Sequence, residues 1–138
     1  MGAVLRNITF TEASYESFID LQDKLHQNLA RRRTLASIGT HDLDTVNGPF
    51  TYTAREPAKI DFVALKQEKS MTAGQLMELY EKDNFMKQFV PIIKNAPKYP
   101  LIVDSNDVIC SLPPIINGEH SKVLFSLCID IIVTTLIC

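Results

Sequence analysis

Residues 101–112, LIVDSNDVICSL, contain the most informative pattern of the 138-residue chain: two apolar runs enclose four turn-forming residues. Leu101–Val103 and Val108–Leu112 are typical of buried strands, and Asp104–Asp107 has the residue types that reverse a backbone. The segment therefore predicts a tight β-hairpin. Two prolines follow it, and because proline has no amide hydrogen to donate to a neighbouring strand, the second strand is expected to end there.

Helices are predicted on the N-terminal side of this hairpin. The first has apolar residues at spacings of three and four, namely Phe18, Leu21, Leu25 and Leu29. It is expected to run from a cap at Thr11 to about Ala30. The second begins behind Thr72–Gln75, a capping-box pattern. A further helical stretch is expected after Asp83 and should be kinked or ended by Pro91.

Further strands are predicted at Val4–Phe10, at Leu35–Ile38 before a break at Gly39, at Phe50–Thr53 and at Ile60–Leu65. Together with the hairpin and the helices, they predict an α+β (mixed α/β) fold, a layered domain in which helices pack on mixed β-sheets.

Composition excludes several classes of protein. With 46% hydrophobic and 22% charged residues, the chain is too apolar for a disordered tail. Its 14 Lys and Arg against 16 Asp and Glu give a net charge of −2, so any contact with RNA must come from a local patch. The cysteines Cys110, Cys128 and Cys138 have no CxxC spacing and support neither a disulfide framework nor a zinc site.

Residues 123–138 form the most apolar part of the chain. Twelve of these 16 residues are apolar, and Asp130 lies among them. The segment is shorter than the roughly 18 residues needed to cross a bilayer, so no membrane association is expected.

Two polar clusters are candidates for chemistry. His41 and Asp42, in the run HDLD, could share a divalent ion, but few further ligands are available, and a polar strand-to-loop segment that bonds its own backbone is favoured. The three arginines Arg31, Arg32 and Arg33 could hold phosphates. A solvated helix end is favoured on sequence alone, since adjacent side chains of a helix point in different directions.

Several segments closely resemble the beta subunit of cytosolic eukaryotic phenylalanyl-tRNA synthetase, from about Arg6 to Lys122. They are FIDLQDKLHQN (Phe18–Asn28), IGTHDLDT (Ile38–Thr45), GPFTYTA (Gly48–Ala54), Tyr99–Pro100, Asp104–Asn106 and SLPPIINGEHS (Ser111–Ser121). The resemblance implies the central, editing-domain region of that subunit for residues 1–122. Residues 123–138 are then an atypical apolar tail that departs from the family, and the region is apparently truncated.

In this family the editing domain hydrolyses tyrosine from mischarged tRNA(Phe). The family enzyme is a cytoplasmic ligase of protein synthesis with two alpha and two beta subunits. The implied partners are the alpha subunit and tRNA(Phe), and neither DNA nor a membrane. ATP and Mg²⁺ belong to the alpha subunit, so no cofactor and no metal are expected in this chain.

The resemblance also implies site residues. Ser111 matches the serine of the editing pocket, Ile102 or Val103 matches its apolar wall, and His41 and Asp42 are further candidates at the end of another strand. The family's second element, an acidic strand of the form Phe-Ile-(Asp or Glu)-x-Thr-x-Thr-Asp, is missing after Lys122. We therefore expect that the chain alone does not edit.

Two alternatives stay open from the residues alone. One is a non-catalytic module of the same fold that binds RNA or protein. The other is a metal-dependent hydrolase centred on His41 and Asp42.

Overall fold

A computed structural model describes residues 2–123 and 129–137. In chain order, its helices and strands are β1 (Gly2–Ile8), α1 (Glu12–Gln27), β2 (Ala36–Asp42), β3 (Thr51–Arg55), β4 (Asp61–Phe62), β5 (Met71–Thr72), α2 (Ala73–Glu81), β6 (Tyr99–Val103), β7 (Ile109–Leu112), β8 (Ile116–Asn117) and β9 (Ile129–Ile137). The mixed helix and sheet fold is thereby confirmed. The chain divides into two compact units, Met1–Val46 with Ser121–Cys138, and Asn47–His120.

The first unit contains α1 and a three-stranded antiparallel sheet in the order β1-β9-β2. The central strand is β9, which comes from the apolar segment 123–138. Asp130 of β9, which lies beyond residues 1–122, also holds β1. Its carboxylate accepts hydrogen bonds from the Arg6 guanidinium at 2.6 Å and from the Asn7 amide at 2.9 Å. The division of the chain at residue 122 stays a prediction. Cys128 and Cys138 lie outside the described residues.

Strand β2 is longer than predicted. The sequence suggests a break at Gly39, but the strand continues to Asp42. The reason lies in the partner strand: Gly39 is paired with Thr134 of β9, and the ladder continues beyond it to Asp42. Hydrogen bonds to a neighbouring strand offset the weak strand preference of one glycine. His41 is therefore a strand residue and not part of a loop.

Helix α1 starts at the predicted cap. The Thr11 hydroxyl accepts from the Ser14 amide at 3.2 Å, and the Ser14 hydroxyl accepts from the Thr11 amide at 2.9 Å. The apolar stripe is only partly covered, since Leu21 is 55% exposed and Leu29 75% exposed. His26 is the buried residue of this helix, and its Nε2 accepts a hydrogen bond from the Ile38 amide at 2.9 Å, which joins α1 to β2.

Helix α1 ends at Gln27 and not at about Ala30, and a left-handed turn follows it. Arg31, Arg32 and Arg33 have φ angles of 49°, 55° and 65°, in the left-handed region. For residues with a Cβ this conformation costs about 1–2 kcal/mol each. The prediction that the three arginines sit on a helix end is wrong in this respect: they form a left-handed turn after it.

The second unit has a four-stranded antiparallel sheet in the order β3-β6-β7-β8, a short β4-β5 pair and α2. The predicted hairpin is confirmed as β6 and β7, and the capping box at Thr72 as the start of α2. The core of this unit contains the fully buried side chains of Ile60, Leu76, Phe89, Leu101, Leu112 and Ile115.

Two predicted elements of this unit are shorter in the structure. The strand predicted at Ile60–Leu65 is reduced to the two residues of β4. The helical stretch after Asp83 consists of two 3₁₀ turns, Met86–Gln88 and Val90–Ile92, since Pro91 has no amide hydrogen to continue a helical ladder. Among the residues that the structure describes, no helix is long and apolar enough to cross a membrane.

Candidate functional site

Four side chains form a row across the sheet of the second unit. Ile102 of β6 is paired with Tyr52 of β3 on one side and with Ser111 of β7 on the other, and Ser111 is paired with Asn117 of β8. Residues directly opposite each other in an antiparallel ladder point to the same face. We call these four residues the Ser111 row.

The centre of the Ser111 row is buried, and the Ser111 hydroxyl is hydrogen-bonded. The Ser111 hydroxyl donates to Asn117 Oδ1 at 2.9 Å. Ile102 is 4% exposed and Ser111 5% exposed, whereas Tyr52 at the outer end is 57% exposed. The row therefore combines a buried apolar side chain, a buried hydroxyl bonded to an amide, and one accessible aromatic ring.

A β-bulge determines which residues of the hairpin join the row. Val103 is paired with Ile109 and Ile102 with Ser111, so Cys110 is the extra residue between the two pairs. Val103 and Ile109 belong to the core cluster, whereas Ile102 and Ser111 do not. Of the two residues considered for the apolar wall, the structure places Ile102 beside Ser111 and Val103 in the core.

Cys110 itself is suited to a structural role. Its side chain is buried, and burial, with the charge of Asp104, raises the pKa of the thiol to about 11. The neutral thiol is a poor nucleophile, so this cysteine contributes to packing at the bulge.

The hairpin turn is organised by Asp104. Its buried carboxylate accepts from the amides of Asn106 at 2.8 Å, Val108 at 2.9 Å and Asn47 at 3.3 Å. Burial opposes ionisation, but the hydrogen bonds from Val108, Asn106 and Asn47 together hold the pKa of Asp104 below its usual range. Asp104 is an ionised acceptor that fixes the turn between the strands of Ile102 and Ser111.

The other end of the row is fixed by backbone contacts of the segment after β8. The Asn117 carbonyl accepts from the Leu65 amide at 2.9 Å, and the Gly118 amide donates to the Cys110 carbonyl at 2.8 Å. At Gly118 a Cβ would lie 2.7 Å from the Ile109 carbonyl oxygen. Glycine is required here by close backbone approach, and this approach holds Asn117 against Ser111.

His41 and Asp42 lie on β2, in the first unit. His41 Nδ1 is 2.9 Å from the Ser121 hydroxyl, and both side chains are fully buried. Asp42 Oδ1 accepts from the Asp44 amide at 3.0 Å and so caps the short turn behind the strand, which confirms the prediction of a segment that bonds its own backbone. Sequence reasoning missed the His41–Ser121 pair because 80 residues separate its members and no local motif links them.

His41 and Asp42 belong to no cluster of potential metal ligands in the described part of the chain. Within residues 2–123 and 129–137, no group of three or more His, Cys, Asp and Glu side chains is arranged to hold an ion. A hydrolase centred on His41 and Asp42 gains no support from their geometry.

A cleft of about 480 Å³ in the second unit is lined by both charged and apolar side chains. The Arg55 guanidinium is paired with the Asp107 carboxylate, and the Ser70 hydroxyl donates to Asp61. Because cations and carboxylates are paired within its wall, this cleft is less suited to an anionic ligand than the arginine turn of the first unit.

Within that turn the three arginines differ in environment. Arg31 and Arg32 are exposed, and Arg33 is partly buried. Burial lowers the pKa of the Arg33 guanidinium, and the neighbouring Asp23 opposes this effect. The structure therefore brings two of the three predicted cations to the surface.

Comparison with known proteins places this geometry in context. The family model of the B3/4 domain matches residues 3–126. Phenylalanine–tRNA ligase beta subunits are 60% identical to the chain over 123 residues in Drosophila melanogaster and 57% identical over 123 residues in Homo sapiens; each alignment covers 89% of the chain and 21% of the relative. A relative from Arabidopsis thaliana, named as cytoplasmic, is 60% identical over 121 residues, or 88% of the chain and 20% of the relative.

A solved structure is similar as well. It is an N-terminal fragment of the phenylalanyl-tRNA synthetase beta subunit from Pyrococcus horikoshii, with a TM-score of 0.87 and 30% sequence identity. The likeness covers 97% of the chain and 38% of that structure. The chain spans about a fifth of the length of the curated relatives it matches.

Proposed function

Since the chain belongs to the B3/4 domain family and is homologous to the phenylalanine–tRNA ligase beta subunit, we propose that it provides the editing region of such a subunit, in which tyrosine is removed from mischarged tRNA(Phe). The proposed partners are a ligase alpha subunit and tRNA(Phe), and the proposed location is the cytoplasm. ATP and Mg²⁺ would act at the alpha subunit and not at this chain.

The observation that supports this proposal is the Ser111 row. Tyrosine differs from phenylalanine by one hydroxyl, and an apolar pocket alone rejects that difference poorly. In the row, Ile102 offers an apolar contact for a ring, and the Ser111 hydroxyl points to Asn117. A hydroxyl that donates to an amide oxygen still has lone pairs that can accept a hydrogen bond from a phenol.

Selectivity follows from this arrangement. A tyrosine beside Ile102 would donate its phenol hydrogen to Ser111 Oγ, whereas a phenylalanine has no hydroxyl and would leave Ser111 bonded to Asn117 alone. A hydrogen bond of this kind contributes about 1 kcal/mol, or roughly fivefold in affinity. Tyr52, exposed at the end of the row, would contact the substrate first.

Ser111 and Ile102 are therefore the residues we assign to substrate recognition, with Asn117 as the positioning residue for Ser111. Val103 would support these residues by its packing in the core. His41 and Asp42 are retained as pocket candidates through the resemblance alone.

The test compares tRNA(Phe) carrying tyrosine with tRNA(Phe) carrying phenylalanine. We expect the chain to bind the tyrosylated form more tightly and the Ser111→Ala variant to lose the preference. Ser105→Ala, an exposed serine in the turn of the same hairpin, is the matched control and should keep it. Equal binding of both forms by the unmodified chain would contradict the proposal.

Hydrolysis is measured separately. We expect the chain alone to release no tyrosine from tyrosyl-tRNA(Phe), because the family's acidic element is missing from its sequence. Release that disappears on Ser111→Ala would show that this expectation is wrong.

Association with the alpha subunit distinguishes the main alternative. Co-purification of a ligase alpha subunit supports the proposal. Retained tRNA binding without alpha-subunit binding and without tyrosine preference would favour a non-catalytic RNA-binding module of the same fold.

A further inference from the structure

The left-handed turn after α1 places arginine where the backbone favours other residues. Glycine and asparagine adopt positive φ angles most readily, yet Arg31, Arg32 and Arg33 occupy three such positions in succession. Residues held in unfavourable backbone conformations concentrate at functional sites. Since the backbone conformation does not favour arginine at these positions, a functional role would rest on the side chains.

The turn is held by its own hydrogen bonds. The Arg32 amide donates to the His26 carbonyl at 2.8 Å, and the Leu35 amide donates to the Ala30 carbonyl at 3.1 Å. The Thr34 hydroxyl donates to the Arg31 carbonyl at 2.6 Å. None of these bonds uses the guanidinium groups of the exposed arginines.

Two carboxylates of α1 have contacts of their own. Asp20 accepts from the Lys24 ammonium at 2.6 Å. Asp23 lies 3.8 Å from His26 Nδ1 and acts electrostatically on Arg33. Within the described parts of the chain, Arg31 and Arg32 have no ion pair and no side-chain hydrogen bond. Two adjacent exposed guanidiniums without carboxylate partners make this turn a local cationic site in a chain of net charge −2.

We propose that Arg31 and Arg32 contact the phosphate backbone of RNA. The guanidinium group binds phosphate through two parallel hydrogen bonds, and each phosphate contact releases counterions from the RNA. The identification of this RNA as tRNA(Phe) rests on the proposed function. The contact itself involves no aminoacyl group.

The decisive variant is the double substitution Arg31→Gly with Arg32→Gly. Because glycine adopts left-handed angles without strain, the fold should be kept and the melting temperature should not fall. Lys66→Gly is the matched control: Lys66 is an exposed cation with a φ of 66° in the other unit. Both variants relieve left-handed strain and remove positive charge.

The probe is uncharged tRNA(Phe), meaning without an attached amino acid, titrated by fluorescence anisotropy between 50 and 200 mM salt. We expect the double variant to bind about tenfold more weakly at the lower salt concentration, and its slope of log affinity against log salt to be smaller by about 0.7–0.9 for each arginine. Lys66→Gly should leave both quantities unchanged.

Three results would overturn the proposal: no binding of the unmodified chain at 50 mM salt, equal binding by the double variant, or an equal loss in Lys66→Gly. A loss of binding to poly-glutamate but not to RNA would assign the turn to an acidic protein partner instead. Failure here is distinguishable from failure at the Ser111 row, because Ser111→Ala alters the preference for tyrosine and the arginine variant alters affinity for RNA of either charging state.

Discussion

Replacement of Gly118 by alanine tests the packing that holds the Ser111 row together. Gly118 follows directly after Asn117, and its amide donates to the Cys110 carbonyl at 2.8 Å. An added Cβ would lie 2.7 Å from the Ile109 carbonyl oxygen and 2.9 Å from Cε1 and Nδ1 of His120. The His120 ring is exposed and can rotate away, but the Ile109 carbonyl belongs to β7.

The cost can be worked out from these distances. Ordinary contacts of a Cβ begin at 3.4 Å, so the backbone must give by about 0.7 Å, the difference between 3.4 and 2.7 Å. Overpacking of this kind costs about 1–3 kcal/mol. The hydrogen bond from the Gly118 amide to the Cys110 carbonyl would lengthen at the same time, and this would remove about 0.5–1.5 kcal/mol more from the free energy of unfolding. We expect Gly118→Ala to lower the free energy of unfolding by about 1.5–4.5 kcal/mol.

Urea unfolding followed by circular dichroism measures this loss. Gly74→Ala is the control: Gly74 lies in α2, and its added Cβ would meet nothing closer than Thr72 Oγ1 at 3.9 Å. That variant should be stabilised by about 0.5–1 kcal/mol, since alanine favours a helix. Unchanged or increased stability of Gly118→Ala would refute the reasoning from close approach.

Three further predictions concern stability. Burial lowers the pKa of His26, so the unfolded chain takes up the proton first as the pH falls. The free energy of unfolding should therefore be full above about pH 6.5 and decline below it, with a smaller decline in His26→Gln. An identical pH profile of that variant in urea unfolding would contradict this. Protonation of Nε2 would also break the hydrogen bond that this nitrogen accepts from the Ile38 amide. Leu101→Ala removes a fully buried side chain and should lower the free energy of unfolding by about 2–5 kcal/mol. Leu79→Ala, at a 40% exposed position, should lower it much less. Equal losses in thermal melts would place Leu101 outside the core. Thr72→Ala removes the capping box of α2 and should cost about 1 kcal/mol, with serine restoring most of it; failure of serine to do so would show that the hydroxyl is not the capping group.

Local features of the fold could be predicted because neighbouring residues produce them. The turn of the hairpin is formed by Asp104 with amides two and four residues away. The cap at Thr72 acts on Gln75, three residues further on. Such interactions depend on short spacings, which the sequence displays directly.

The left-handed turn at Arg31–Arg33 could not be predicted in the same way. Its residue types favour a helix, and its conformation depends on backbone bonds to the end of α1. The same holds for the end of β2, where pairing with β9 carries the strand past Gly39.

By itself, the sequence determined the mixed helix and sheet class, the hairpin and both capped helices. Only the tertiary structure decided that Ile102 and not Val103 lies beside Ser111, that Asn117 accepts its hydrogen bond, and that His41 meets Ser121. The physical reason is that a bulge at Cys110 and the pairing of strands distant in sequence set which way each side chain points, and neither is encoded in a short stretch of residues.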